Sequence, residues 1–474
     1  MSKSNPQSPI PNPQSNLQPL TPAILDQLRQ IVGDAHLSTS DADRQQHARD
    51  QSGHPPHEAD AVIWPGSTAE IAAILRLAHE ARIPVTAWGA GTSLEGNPIP
   101  LHGGIVLSLR RLDQIVAVHA DDFQVTVRPG LGYKDLNRHL ARYGLFFPPD
   151  PGANASIGGM LANNAAGIRT VKYGACRDNV LRLQVVLANG EILHAGSRSV
   201  KQSSGYDLVH LFVGSEGTLG IIAEATLRLA PIPEHVSAAV AAFPTVAAAV
   251  QAVVAVRGSG LEPAALEFID AYHARVLSAE EGVDLAEYPT LFLEFHAAHR
   301  AALDLGLELA GEICRDLGAL SFTATADPTA RRRLWHARHH AYEIAQRNHP
   351  GRDFDILDVA VPLSAYPALV AHVEETLAAR AATGYLIGHA GDGNLHVLLP
   401  HGDRAERDRA AAVNREIVLK AIALEGTASG EHGTGIGKAR FLQQEHGAPA
   451  VALMRTLKHT LDPHGILNPG KILP

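Results

Sequence analysis

The chain has 474 residues, of which 45% are hydrophobic and 19% charged, which is typical of a globular protein of two or three domains. Its formal net charge of −9 argues against nucleic acid as the main partner, because backbone phosphates are bound by clustered lysine and arginine. The two cysteines, Cys176 and Cys314, are too few to ligate an iron–sulfur cluster and favour a reducing compartment.

The first twenty residues are rich in proline, serine, asparagine and glutamine. They lack the apolar stretch and the cleavage site of a secretory signal, so we predict a disordered tail over residues 1–20. No apolar run reaches the roughly 18–20 residues that span a bilayer. We therefore expect a cytoplasmic protein, and peripheral contact with the inner membrane stays open.

The first half of the chain alternates short helices and strands. A capping box begins a predicted helix over Ser67–Arg82, and Val85–Ala87 follows as a strand. The β-branched runs IVLSL and VTV predict further strands, and Tyr133–Tyr143 is predicted to be helical. Asn189-Gly190 lies between apolar runs and predicts a hairpin over Gln184–Leu193.

Longer elements are predicted in the second half, after a boundary at Pro231–Pro233. Leu291–Phe295 is a predicted strand, and Arg331–Gln346 and Tyr366–Ala381 are predicted helices. Two apolar runs joined by Gly391–Asn394 predict a second hairpin. The closing segment, GILNPGKILP, is apolar enough that we expect it to pack on another part of the chain.

Three tracts of small residues lie between Trp88 and Ile222. The first, WGAGTSLEGN, lacks the G-x-G-x-x-G spacing of an NAD site. The second comprises PPDPG, IGGM and NNAAG, and the third is GSEGTLGII. A single glycine-rich turn is commonly structural, but three amide-rich tracts indicate one long, thin ligand with phosphates. FAD has that shape.

Two histidines, His389 and His396, flank the second hairpin turn, and Glu431 lies in a later segment, GEHG. Two imidazoles and a carboxylate with open positions form a recognised catalytic arrangement for Zn²⁺, and such ligands also suit Mn²⁺ or Fe²⁺. The chain has 26 histidines, so ordinary surface or core side chains are the alternative. A metal-dependent hydrolase would also fit these residues, but it would leave the glycine tracts without a role.

Several motifs resemble one known family and occur in the family's order. WGAGTSLEGN, IGGMLANNAAG, KYGACRDNV and GYDLVHLFVGSEGTLGII resemble the FAD-binding domain of the vanillyl-alcohol-oxidase/PCMH flavoproteins. GHAGDGNLH and GEHGTGIGK narrow the resemblance to the FAD-linked D-2-hydroxyacid dehydrogenases. It extends from about His57 to the C-terminus.

This resemblance implies an α+β fold. A PCMH-type FAD-binding domain of two α/β subdomains, residues 57–233, would follow a helical lead-in, residues 21–56. A substrate or cap domain, residues 234–425, would be built on an antiparallel sheet. A helical C-terminal segment, residues 426–474, would return to the FAD-binding domain.

The resemblance also implies two cofactors. FAD would be bound non-covalently, because Thr92 stands where members with covalent flavin carry a histidine. A divalent metal, Zn or Mn, would lie on His389, His396 and Glu431. The positions expected to contact FAD are Trp88, Gly89, Ala90, Gly91, Thr92, Ser93, Gly96, Asn97, Pro151, Gly152, Ile157, Gly158, Gly159, Asn163, Ala165, Gly167, Glu216, Gly217, Gly220, Ile221, Ile222 and Asn468.

Three further residues match the family's catalytic positions. His432 would take the hydroxyl proton while hydride leaves Cα for the flavin, and a cation is needed because neutral imidazole is too weak a base for a free alcohol. Arg338 would bind the substrate carboxylate, and Asn394 would orient substrate or ligand. The alternatives are a structural hydrogen bond for His432, a solvated helix face for Arg338 and a turn-forming role for Asn394.

One position departs from part of the family. Dehydrogenases for dicarboxylic hydroxy acids carry a lysine where this chain has Ile356, beside Leu357, and an unpaired buried carboxylate would be costly there. We therefore expect D-lactate as substrate, with cytochrome c or a quinone as electron acceptor. D-2-hydroxyglutarate dehydrogenase, a glycolate oxidase catalytic subunit that needs iron–sulfur partner chains, and a non-catalytic flavin protein are the alternatives. The sequence leaves oligomeric state open.

Overall fold

The computed structural model describes residues 16–473. Residues 1–15 of the predicted tail lie outside that range. The tail prediction is wrong at its end, because Gln18 N–H donates to Arg82 O at 3.0 Å and Leu17 and Leu20 pack against the first core. Burial of two leucines holds this segment in place, which a composition averaged over twenty residues conceals.

A four-stranded sheet forms the first layer. Its strands are β1 (Leu37–Ser38), β2 (Ala61–Ile63), β3 (Val85–Trp88) and β4 (Ile105–Ser108), in the order β1-β2-β4-β3. β2, β4 and β3 are parallel, and β1 is antiparallel to β2. The accompanying helices are α1 (Pro22–Val32), α2 (Asp41–Gln46) and α3 (Thr68–Ala81). The Ser67 side chain accepts the Glu70 N–H, which confirms the predicted start of α3.

A five-stranded antiparallel sheet forms the second layer. The strands of this region are β5 (Ile115–His119), β6 (Gln124–Val127), β7 (Leu145–Phe146), β8 (Val180–Val186), β9 (Ile192–Gly196), β10 (Ile221–Arg228) and β11 (Ala230–Pro231). The sheet order is β5-β6-β10-β8-β9, and β7 pairs separately with β11. Its helices are α4 (Tyr133–Leu140), α5 (Ile157–Asn163), α6 (Thr170–Tyr173) and α7 (Val209–Phe212). β8 and β9 form the hairpin predicted at Asn189-Gly190.

The third layer is a seven-stranded antiparallel sheet. Its strands are β12 (His235–Ala242), β13 (Ala265–Ile269), β14 (Thr290–Ala297), β15 (Ser321–Thr325), β16 (Asp353–Ala360), β17 (Tyr385–Gly388) and β18 (Asn394–His401), in the order β15-β12-β14-β13-β17-β18-β16. Its helices are α8 (Val246–Gly258), α9 (Ala271–Glu281), α10 (Arg300–Asp316), α11 (Pro328–His339), α12 (Ala341–Arg347), α13 (Tyr366–Ala379) and α14 (Arg404–Ala423). β17 and β18 form the predicted second hairpin.

The C-terminal segment returns to the first layer. After α15 (Leu442–Leu461), Leu467 forms a parallel bridge with Val85 of β3, and Ile466 and Leu467 are fully buried. The prediction that the closing apolar segment packs is confirmed. The chain end is thereby fixed beside the loop that follows β3.

One predicted helix is divided into two helices in the structure. Arg331–Gln346 was expected to be one helix, but the chain forms α11 and α12 with a break at His340. The buried residues Ala337 and Ala341 flank the break and pack into one core. The segment contains no glycine or proline, so its local sequence carries no signal for this tertiary adjustment.

No helix in residues 16–473 is both long enough and apolar enough to cross a bilayer. The predicted domain boundaries remain predictions.

Candidate functional site

The three predicted metal ligands lie together at the end of the second hairpin. His389 follows β17, His396 lies in β18, and Glu431 comes from the loop between α14 and α15. His389 Nε2 and His396 Nε2 lie 3.0 Å and 3.2 Å from Glu431 Oε1. One ligand atom from each residue falls within 4.8 Å of the others. The geometry therefore suits a single small cation.

The charges of this cluster also fit a cation. Burial would lower the pKa of His389, but the carboxylates of Glu267 and Glu431 outweigh it and raise the pKa well above its ordinary value. Burial would raise the pKa of Glu431, but His389 and His396 hold it well below its usual range. Carboxylates on both sides of one imidazole thus concentrate negative charge where a metal ion would lie.

Two buried carboxylates that the sequence analysis missed lie behind these histidines. Glu267 in β13 accepts His389 Nδ1–H at 2.8 Å. Asp358 in β16 is the cross-strand partner of His396, and its Oδ1 lies 3.6 Å from His396 Nδ1. Both residues are fully buried. The hydrogen bond to Glu267 favours the His389 tautomer that leaves Nε2 free for a metal, whereas His396 Nδ1 has no hydrogen-bond partner among the described residues.

His432 adjoins the cluster without completing it. Its ring stacks on that of His396, with centroids 5.0 Å apart and 9° between the planes. Its Nε2 lies 4.0 Å from Glu431 Oε1, and its Nδ1 has no hydrogen-bond partner among the described residues. Burial lowers the pKa of His432, although the nearby Asp358 opposes the shift. A neutral imidazole at this position can accept a proton.

Arg338 is not on a solvated helix face. The side chain is buried at the end of α11, and Nη2 donates to Glu267 Oε2 at 2.5 Å. Its Nε has no partner within the described part of the chain, and the residue lines the cavity that also contains the predicted metal ligands His389, His396 and Glu431. Because the residue lines this cavity and a guanidinium can bind a carboxylate through two N–H groups, its placement suits recognition of a carboxylate.

Asn394 packs behind the site. Its Nδ2 donates to Asp358 Oδ1 at 2.7 Å and to Val359 O at 2.9 Å. The residue lies in β18, and its buried Oδ1 has no partner in the region that the structure describes. Contact between Asn394 and substrate remains a prediction.

A second cavity is formed mainly by the glycine tracts. The predicted cofactor residues that line it are Trp88, Gly89, Ala90, Gly91, Thr92, Ser93, Asn97, Pro151, Gly158, Gly159, Asn163, Ala165, Glu216, Gly217, Gly220, Ile221, Ile222 and Asn468. Nine of these eighteen residues are glycine, alanine or serine, so a ligand can lie close to the backbone here. The residues fit a large polar cofactor held by small side chains and backbone amides.

Four predicted cofactor positions do not line this cavity. Ile157 is fully buried in the second core, and Gly152 lines the cavity of the metal cluster instead. A Cβ on Gly96 would lie 2.6 Å from Ile436 Cδ1, and one on Gly167 would lie 1.9 Å from Asp150 O. Close packing, with positive φ at both glycines, explains these two residues better than cofactor contact does.

The loop that carries Glu431 and His432 is hydrogen-bonded to residues on both of its sides. The buried Glu216 carboxylate accepts the Thr434 N–H at 2.6 Å and the Gly435 N–H at 3.0 Å. On the other side, Lys438 Nζ donates to Asp358 O at 3.0 Å. These contacts place Glu431 and His432 in the walls of both cavities, where the two cavities meet.

The wall of the metal-side cavity includes three apolar residues from neighbouring strands of the third sheet. Ile356, Ile387 and Leu398 line it beside the metal cluster. Leu357 is fully buried in the core behind the sheet. The position singled out in the sequence, Ile356, therefore lines the cavity, whereas Leu357 does not.

Family models match most of the chain. Residues 59–196 match a model described as FAD binding domain, and residues 232–472 match one described as FAD linked oxidases, C-terminal domain.

Curated relatives match over nearly the whole length. The chain is 42% identical to probable D-lactate dehydrogenase, mitochondrial, of Danio rerio, over 95% of this chain and 91% of the relative. It is 38% identical to D-lactate dehydrogenase [cytochrome], mitochondrial, of Arabidopsis thaliana, over 95% and 80%. It is 35% identical to glycolate oxidase subunit GlcD of Bacillus subtilis, over 96% and 97%.

The fold also matches solved flavoprotein structures. The structure of p-cresol methylhydroxylase with substrate bound superposes with a TM-score of 0.74 at 15% identity, covering 97% of this chain and 98% of that one. The α+β fold predicted from the motifs is confirmed by this match, which concerns the fold alone.

Proposed function

The chain belongs to the FAD-linked oxidase family and is an FAD-dependent hydroxyacid oxidoreductase, and from that premise we propose the substrate, the metal and the electron acceptor. The substrate is a D-2-hydroxy acid, with D-lactate preferred, and the product is the 2-oxo acid. A divalent cation, Zn or Mn, lies on His389, His396 and Glu431. FAD is bound non-covalently, because Thr92 stands in the cavity wall and offers no imidazole for attachment.

One observation carries this proposal. Glu431 and His432 are adjacent residues that line both the cofactor cavity and the cavity of the metal cluster. A small hydroxy acid at that junction would have the metal ligands on one side and the cofactor cavity on the other. The arrangement suits transfer of a proton and a hydride in opposite directions.

The chemistry needs two acceptors. When bound, FAD supplies a two-electron acceptor for the hydride from Cα, and a divalent cation supplies the charge that lowers the pKa of the substrate hydroxyl. His432 takes the hydroxyl proton on its buried, neutral imidazole, whose pKa burial keeps below its ordinary value. Arg338, which lines the same cavity, binds the substrate carboxylate through its guanidinium group. Loss of one hydride and one proton converts the alcohol to a ketone.

The side chain of the substrate faces an apolar wall. Ile356, Ile387 and Leu398 offer no charge to a second carboxylate. Burying such a group unpaired would cost several kcal/mol, so a methyl or other short aliphatic group is favoured.

The electron acceptor is cytochrome c or a quinone. A relative from Arabidopsis thaliana carries the designation cytochrome. The two cysteines of this chain, Cys176 and Cys314, are buried and free, so the chain itself holds no thiolate set for an iron–sulfur relay. Electrons must therefore leave the flavin for a separate acceptor. Reduction of cytochrome c and of a short-chain quinone by the substrate-reduced protein distinguishes the two.

A glycolate oxidase catalytic subunit is the second candidate, favoured by the likeness to GlcD. Glycolate has no substituent to contact the apolar wall. We therefore expect D-lactate to be the better substrate.

Anaerobic bleaching of the flavin tests the proposal. The purified holoprotein is mixed with D-lactate, L-lactate, glycolate and D-2-hydroxyglutarate, each with and without a chelator, and the visible absorbance of oxidised flavin is followed. D-lactate should bleach the flavin fastest, and the chelator should suppress the reaction. Bleaching by L-lactate alone, or D-lactate bleaching that a chelator at equilibrium leaves unchanged, would contradict the proposal.

Ile356→Lys should shift the preference towards dicarboxylic acids. The ammonium group would pair with a second carboxylate in the cavity but would have no partner when D-lactate is bound. We expect the ratio of kcat/KM for D-2-hydroxyglutarate over D-lactate to rise by at least about tenfold, which corresponds to about 1.4 kcal/mol. Ile356→Met is the matched control, and the same gain in that variant would show that charge is not the cause.

A further inference from the structure

Glu267 lies in a strand that is otherwise apolar. All five residues of β13 are buried, and Glu267 itself is fully buried. β13 pairs with β17 through Phe268 and Gly388, which places Glu267 opposite His389 in the same register. Its Oε1 and Oε2 lie 3.0 Å and 2.8 Å from His389 Nδ1.

The same carboxylate has a second charged partner. Arg338 Nη2 donates to Glu267 Oε2 at 2.5 Å. One oxygen of Glu267 thus accepts from both the proposed metal ligand and the proposed carboxylate-binding arginine. These two side chains come from separate elements, the turn after β17 and the end of α11.

A purely structural ion pair is a weak explanation for this arrangement. Desolvating a carboxylate and a guanidinium costs about as much as their attraction returns, and apolar side chains in their place are often as stable or more stable. The rest of β13 already supplies apolar residues to the cores on both sides of the sheet. The charge of Glu267 therefore needs a reason other than folding.

We propose that Glu267 is a positioning residue that couples the metal site to the recognition of the substrate carboxylate. Given the proposed function, Glu267 holds the His389 ring in the tautomer whose Nε2 is free to bind the cation. It also fixes the Arg338 guanidinium through Nη2, which orients that group in the cavity wall for the substrate carboxylate. The metal ion and the substrate then bind to two side chains that share one anchor, so loss of the anchor weakens both.

The test measures binding rather than turnover. Flavin-loaded, metal-stripped protein is titrated with Mn²⁺, and free Mn²⁺ is followed by its electron paramagnetic resonance signal. Glu267→Gln is nearly isosteric, but its amide group meets the His389 Nδ1–H as a second donor. We expect the Mn²⁺ dissociation constant to rise about 10–100-fold, as is usual for loss of a group that orients a metal ligand.

Binding of a substrate analogue tests the role of the second partner, Arg338. 2-Hydroxy-2-methylpropanoate has the hydroxyl and carboxylate of lactate but no hydrogen on Cα, so it binds without being oxidised. With saturating Mn²⁺, its dissociation constant, measured from the change in the flavin spectrum, should rise about tenfold or more in Glu267→Gln.

Glu294→Gln is the matched control. Glu294 is buried in the adjacent strand β14 and pairs with His296 at 2.7 Å, but His296 is not one of the proposed ligands. The Mn²⁺ affinity of the Glu294→Gln variant should stay within about threefold of wild type. Glu267→Asp is the second variant, too short to reach both partners, and should lose at least one of the two affinities by about tenfold.

The outcomes separate this inference from the proposed function. Bound flavin per polypeptide first identifies which variants fold. If the wild type binds Mn²⁺ and a folded Glu267 variant keeps both affinities within about threefold, the positioning role is wrong and the proposed function stands. The metal-assisted function is wrong if the wild type shows no saturable Mn²⁺ binding, or if that binding persists in Glu431→Gln. The coupling through Glu267 is then wrong as well.

Discussion

Replacing His432 by glutamine should slow flavin reduction by D-lactate by about 10²–10⁴-fold, the range expected for loss of a general base. The imidazole lines both cavities, and burial lowers its pKa, so a neutral base is present at the proposed substrate position. Glutamine keeps the size and polarity of the side chain but cannot accept the proton. Anaerobic stopped-flow absorbance of the flavin measures the rate.

Two further measurements distinguish a catalytic base from a structural histidine at position 432. Flavin content and Mn²⁺ affinity of His432→Gln should remain within about tenfold of wild type, because His432 Nε2 is 4.0 Å from Glu431 Oε1 and outside the proposed ligand set. His459→Gln, at an exposed position of α15, is the matched control and should leave the rate unchanged. Loss of flavin or metal with an unaltered rate per loaded site would assign His432 a structural role instead.

Replacing Glu431 by glutamine should remove the metal and, with it, most of the activity. Glu431 Oε1 is the atom that lies close to both histidine ligands, and the amide removes the only carboxylate of the proposed ligand set. Charge stabilisation by a catalytic metal is worth several kcal/mol, so we expect flavin reduction to slow by about 10³-fold or more. Bound metal is measured by elemental analysis, and the rate by stopped-flow absorbance.

Reversibility distinguishes metal loss from damage to the fold. In the wild type, a chelator should abolish the rate and added Mn²⁺ or Zn²⁺ should restore it, whereas Glu431→Gln should not recover at the same concentrations. Glu425→Gln, at an exposed glutamate in the preceding segment, should behave as wild type. A fully active Glu431→Gln variant without bound metal would rule out metal assistance.

Elements set by local sequence could be predicted. Three such signals act within a few residues: the capping side chain of Ser67, the Asn189-Gly190 turn and the apolar runs of the second hairpin. The structure contains the element that each one predicts. His389 and His396 could be paired for the same reason, since a short hairpin brings its two strands together. Glu431 lies on a distant loop, and the local sequence alone could not place it beside the hairpin.

Features set by pairing between distant strands could not be predicted. Glu267 opposes His389, and Asp358 opposes His396, only because the sheet order is β13-β17-β18-β16. In the sequence Glu267 lies in an otherwise apolar strand, whereas Asp358 lies in a strand that has two other aspartates. A buried acid within an otherwise apolar strand is the signal that could have identified Glu267, and Asp358 had no comparable signal.

Most residues predicted from the glycine-rich tracts line one cavity, but the sequence could not separate them from glycines that are required by packing. Gly167 is glycine because a Cβ would collide with Asp150 O, and Gly96 because of Ile436. A glycine required by close packing and one required by a cofactor look the same in a single sequence. Only the positions of the contacting residues separate the two cases.

A crystal of the holoprotein grown with Mn²⁺, with an anomalous difference map recorded, tests the central claim most directly. The account predicts one strong peak bonded to His389 Nε2, His396 Nε2 and Glu431, beside the N5 edge of the flavin ring and within reach of a bound hydroxy acid. A peak held by other side chains, or a flavin ring that lies away from the peak, would contradict it.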